Sequence, residues 1–194
     1  PYNTLEINLG TGYTEDAMVF VRPHSPGVGV AASVSINAQG QLIISADAEY
    51  TVNFTWYLFG AVTKQQIQGS SYGLRVYGEN SALGFATDTR LLKIVGMLKI
   101  ADGVDTSNRL SSHTIPLPSG RIYAGHITVA RSFIDDEGPP VGGGPYSWFH
   151  YDGVTVTQAS VGTIDVTGNV IEGTAGLPIM SYGGLLIAAD VTGY

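Results

Sequence analysis

The densest group of chemistry-bearing side chains is Asp135-Asp136-Glu137, followed by Gly-Pro-Pro, a valine and three glycines. Carboxylate oxygens are the ligands that hard cations such as calcium take. A dedicated calcium loop spaces its acids at alternate positions, and this one does not. The adjoining Gly and Pro predict a solvated loop over Asp135–Pro145, since such a run continues neither helix nor strand. Asp102 and Asp105 draw the same reading. Glycoside cleavage needs two carboxyl groups at a set separation, one with a raised pKa. Sixteen acids offer many pairs and the sequence singles out none. The four histidines, His24, His113, His126 and His150, are scattered and lack metal-binding spacing. Ser181 lies in no nucleophile-elbow context. The expectation is a non-catalytic protein with no cofactor and no metal site.

The aromatic run Tyr146–Tyr151 stands beside that loop. Tyr146, Trp148, Phe149 and Tyr151 are flat, largely apolar groups that exclude water from a contact. If they lie on the surface, they suit a sugar or a protein partner. If the run is a half-buried strand, one aromatic face is core. Asp135, Asp136 and Glu137 with Tyr146, Trp148, Phe149 and Tyr151 are therefore the candidate contact loop.

Composition narrows the partners. The chain is 44% hydrophobic and 13% charged, about half the usual charged fraction. Its surface must be built largely from Thr, Ser, Asn, Gln, Gly and Tyr, as in proteins whose faces are covered by neighbours in an assembly. A net charge of −7 argues against nucleic acid, which needs a basic face, and against anionic membrane surfaces. No apolar run reaches the roughly 18 residues of a membrane span, so no membrane insertion is expected. The absence of cysteine excludes disulfides and thiolate sites. The start PYNTLEINLG has no signal-peptide pattern. It fits loss of an initiator Met and synthesis in a cytoplasm.

The elements that must position these groups are strands. Runs at 4–9, 16–21, 29–36 and 41–46 are short and bounded by Gly, Pro, Asn or Asp. Asn37-Ala38-Gln39-Gly40 is a hairpin turn. Glu49–Phe59 is predicted as the strongest strand of this half, with Tyr50, Val52, Phe54 and Trp56 on one face. Ala61–Ser71 reads as a connector, which suggests an N-terminal β region over 1–69 and a C-terminal β-sandwich over 70–194, or a single domain. Asp152-Gly153 is a hairpin signal, and Thr167-Gly168 a second turn. Gly183–Val191 is the last apolar run. The whole predicts an all-β fold: one or two antiparallel β-sandwich units of many short strands, without a long helix.

Within Tyr72–Ile100, Leu74 and Val76, then Leu83 and Phe85, alternate about a Gly78–Ser81 turn. Leu91–Ile100 follows as a third strand, predicted to be buried. This stretch, YGLRVYGENSALGFATDTRLLKIVG, resembles a pattern of small structural tail or tail-tip proteins of long-tailed, siphovirus-like bacteriophages. Tyr72, Gly73, Leu74, Val76, Leu83, Phe85, Arg90, Leu91, Leu92, Val95 and Gly96 match it. Gly183–Tyr194 resembles the ending of such proteins. The pattern usually lies near a chain's start, whereas residues 1–71 precede it here. It carries no catalytic residues. The resemblance implies a virion tail component whose partners are other tail proteins, copies of itself, and a host-surface glycan or protein. Arg75, Glu79, Arg90 and Lys93 would then be solvated or inter-subunit groups. The alternative is a carbohydrate-binding, receptor-binding β-sandwich module, which requires Trp148 and Tyr151 to be exposed.

Overall fold

The computed structural model describes residues 3–13, 16–48, 50–60, 75–77, 83–86, 91–100, 113–128, 132–136, 147–156, 164–173 and 184–194. Fourteen strands run through them: β1 (Asn3–Thr11), β2 (Met18–Pro23), β3 (Val30–Ile36), β4 (Gln41–Ala48), β5 (Phe54–Phe59), β6 (Arg75–Tyr77) and β7 (Leu83–Ala86), then β8 (Ile94–Lys99), β9 (His113–Ile115), β10 (Tyr123–Ile127), β11 (Ser132–Asp136), β12 (Ser147–Val156), β13 (Ile164–Gly173) and β14 (Leu185–Asp190). No helix occurs among the described residues, and every pairing is antiparallel, so the all-β expectation holds.

One sheet has the order β1-β4-β3-β12-β13-β9, with β11 also paired to β12. The second has the order β5-β2-β10-β14-β8, and β6 and β7 form a separate hairpin. Both large sheets take strands from either side of residue 70. Their facing sides share one core, in which Val19, Val21, Tyr123, Leu186 and Ala188 meet Val30, Leu42, Ile44, Ala46 and Val154. Fully burying one such aliphatic side chain contributes about 1.5–3 kcal/mol. The alternation in β4 follows: Leu42, Ile44, Ala46 and Ala48 are buried, and the residues between them only half so.

The β3–β4 hairpin forms where its turn chemistry sits. Asn37 Oδ1 accepts from the N–H groups of Gln39 (3.0 Å) and Gln41 (2.9 Å), and Gly40 takes φ +72°, a conformation open to glycine at no steric cost.

Four expectations need correction. The strand predicted over Glu49–Phe59 begins only at Phe54, and Tyr50 is 60% exposed. The loop predicted over Asp135–Pro145 begins late, because β11 continues through Asp136. Neither Asp152-Gly153 nor Thr167-Gly168 turns the chain. They lie opposite one another in an unbroken ladder from Ser147↔Gly173 to Val156↔Ile164. A local turn there would forfeit that long ladder, and tertiary pairing overrides turn propensity. Finally, Leu91–Ile100 is not a buried strand. Its core β8 forms the end of a sheet and pairs only with β14 among the described residues.

Candidate interaction surface

β2 and β14 read as continuous apolar runs, MVFV and LLIAA, rather than alternating ones. Such runs arise where a sheet is covered on both faces. The second sheet is built this way. Val19, Val21, Leu186 and Ala188 point into the shared core, whereas Phe20, Ala124, Ile187 and Ala189 form a separate cluster on the outer side. Phe20 packs edge-on against Phe59, with centroids 5.6 Å apart, and Phe59 packs against Tyr194 at 5.5 Å. The Tyr194 hydroxyl donates to the Leu91 carbonyl, which holds the C-terminus across this face.

The cover thins toward β8. Register places Ile94 opposite Ala189 and Met97 opposite Ile187, so both belong to the outer face. Leu91 is 57% exposed, Ile94 48% and Met97 64%. The other side of β8 is sealed. Leu98 packs against the core, and a Cβ on Gly96 would lie 2.9 Å from Ile115 Cγ2. The shift of register between Ala188 and Ala189 marks an irregularity of the bulge kind in the pairing of β8 with β14.

One charged cluster fixes this edge. Asp190 is the only buried polar or charged residue among those described. Its carboxylate accepts from Lys93 Nζ at 2.9 Å and Arg121 at 2.7 Å, and from the Thr192 backbone at 3.1 Å. Hydrogen bonds from Lys93 and Thr192, aided by Arg121, outweigh burial and hold the carboxyl well below the usual carboxylate range. The two cations are half-exposed. Lys93, expected as a solvated or inter-subunit group, is indeed half-exposed and is in addition a structural partner of Asp190.

His126 has a similar duty between β10 and β2, which share a single bridge at Gly125↔Val21. Its Nδ1–H donates to the Val19 carbonyl at 2.8 Å, and its ring lies 5.4 Å from that of Phe20. Burial pushes the imidazole pKa down, and the bond to Val19 opposes that in smaller part. A cavity of about 30 Å³ adjoins it, walled otherwise by apolar groups. His24 Nε2 shares a 2.8 Å hydrogen bond with Thr55 Oγ1. Among the described residues no three of His, Asp and Glu gather closely enough to hold a metal ion.

The predicted contact loop divides. Asp135 and Asp136 lie on β11, and Trp148, Phe149 and Tyr151 on β12; Glu137 and Tyr146 lie outside the described residues, as do Asp102, Asp105, Glu79 and Arg90. Backbone register sets Asp135 opposite Trp148 and Trp148 opposite Glu172. Glu172 was not foreseen, because only the pairing of β12 with β13 brings it to that row. The exposed trio Leu91, Ile94 and Met97 was also missed. An apolar run looks the same in sequence whether it lies inside a sheet or at its end. Compared with family models, curated proteins and solved structures, the chain matches none.

Proposed function

We propose that this chain is a non-catalytic structural component of a bacteriophage tail, at or near the tail tip, making subunit contacts and presenting a surface toward the host. The observation that supports this most is the β8 edge. A chain with 13% charged residues exposes Leu91, Ile94 and Met97 together beside the strand that, among the described residues, ends its sheet. Open edges with apolar side chains template further strands, and folded proteins leave them so chiefly where a neighbour covers them. Burying those side chains supplies apolar contact, and only the surplus over lost freedom appears as affinity. The likeness of Tyr72–Gly96 and Gly183–Tyr194 to tail proteins supports a tail as that assembly. β8 and β14, which carry parts of both segments, pair with each other.

Gold-labelled antibody against the chain, applied to intact virions, is expected to decorate the tail or its tip. Label on the head, or none on the particle, would sink the proposal.

A second reading, a carbohydrate-binding module, draws on the row Asp135, Trp148, Glu172. Backbone register sets an aromatic residue between two acids, residue types that stack on a sugar ring and accept from its hydroxyls.

A further inference from the structure

The side of the sandwich away from β8 carries a matching feature. There β1 ends the first sheet and β5 ends the second. Between them lies a groove of about 130 Å³ with an apolar floor of Leu5, Val30, Ala48, Val52 and Phe54, and Tyr50 at its margin. By the measure in which a single water needs roughly 10–15 Å³, it holds far more than one solvent molecule. Leu5 is 47% exposed although its neighbours Ile7 and Leu9 pack on the core. Gly96 against Ile115 fixes β8 and β9 at the opposite side. An exposed apolar knob and an apolar groove therefore stand at opposite ends of one molecule.

We propose that the groove between β1 and β5 receives Met97 and Ile94 from the β8 edge of a second copy, joining copies head to tail. This deepens the assembly reading above and rests on it for biological meaning, but the contact itself is a property of the purified chain. Charge selects the occupant. The β8 edge carries Lys99 and the cluster of Lys93 and Arg121 on the one carboxylate of Asp190, a net positive group, whereas residues 3–13 carry Glu6 and no base, with Asp47 on the adjoining strand at the groove. A two-fold pairing of β8 with itself, centred on Gly96, would instead set Lys93 against Lys99, and like charges directly opposite are destabilising. Met97 is unbranched and adaptable, which suits a groove of irregular lining. A knob on one side and its receptor on the other make a heterologous contact, which closes into a ring or propagates as a filament.

Sedimentation of the purified chain across a concentration series tests this. The wild type is expected to rise above its monomer mass of 20.4 kDa as concentration increases. Met97→Lys, at an exposed position, and Leu5→Lys, in the groove, should each weaken association about tenfold or more, as loss of a central contact does. An equimolar mixture of the two variants keeps one intact knob and one intact groove, so it should give a dimer and stop there. Circular dichroism checks that each variant is folded. If Leu5→Lys is not, Tyr50→Lys takes its place. A wild type that stays monomeric overturns the proposal, whatever else the groove binds. So does a groove variant that assembles normally while Met97→Lys does not, or a mixture that stays monomeric. Virion labelling can fail while head-to-tail association succeeds, and the reverse, so the two proposals fall separately.

Discussion

Gly96 of β8 lies so close to Ile115 of β9 that a Cβ on the glycine would sit 2.9 Å from Ile115 Cγ2 and 3.6 Å from Leu117 Cδ2. The two strands end different sheets. A bare backbone at position 96 therefore lets one side of the sandwich close, and side-chain volume, rather than backbone conformation, excludes other residues there. Gly96→Ala should destabilise the fold by about 1–3 kcal/mol, the usual cost of overpacking. Ile115→Ala should also destabilise on its own by opening a cavity. The double variant should be more stable than the sum of the two losses, since the small residue at 115 makes room for the new methyl. Urea unfolding of the four proteins in a double-mutant cycle measures that coupling.

Asp190 ties the end of β14 to Lys93 and Arg121. Its folded pKa is depressed, so the carboxylate contributes stability that is present above its unfolded value, near 3.9. That stability is lost as pH falls toward the folded value. Thermal melts of the wild type should therefore fall in Tm below about pH 4, and Asp190→Asn should show a smaller acid-dependent loss. At neutral pH Asp190→Asn should cost about 1–3 kcal/mol, as expected when charge-assisted hydrogen bonds at a buried group are lost. The half-exposed cations regain water, which keeps the figure in that range.

His126 titrates in a different window. Its folded pKa is lowered by burial, so the neutral ring is favoured in the native state and its contribution is full above the unfolded value of about 6.5. Stability should decline as pH falls below that value toward the folded one. His126→Phe keeps a ring against Phe20 but removes the donor to Val19, costing about 1 kcal/mol. It should also flatten the stability profile between about pH 5 and 7. Denaturant midpoints at several pH values check both effects. An unchanged profile in the variant would mean that His126 is not the group titrating.

Trp148 tests the carbohydrate reading. On a glycan array, Trp148→Ala should abolish any binding that the wild type shows, because sugar–ring stacking is lost with the indole. Asp135→Asn and Glu172→Gln should weaken it while leaving the melting temperature nearly unchanged. A wild type that binds no glycan on the array removes this reading and leaves the assembly role standing alone.

The sequence by itself determined the class of structure. Short runs of period two, Gly and Pro punctuation and a sparse charge content admit little but antiparallel sheets, and the Asn37–Gly40 turn was legible because its chemistry is local. Of the face predicted over Tyr50, Val52, Phe54 and Trp56, the last three pack on the core, whereas Tyr50 is exposed and the strand begins only at Phe54, so the alternation was legible and its extent was not. What tertiary structure decided is the place of each strand in its sheet. Asp152-Gly153 carries a turn signal, yet it lies inside a ladder because β13 pairs along the whole of β12. Leu91–Ile100 is apolar enough for an interior, yet β8 ends its sheet and exposes Ile94 and Met97. Neighbours a hundred residues away in the chain set which edge stays open. No local pattern encodes that, and the contact surface proposed for this protein depends on it.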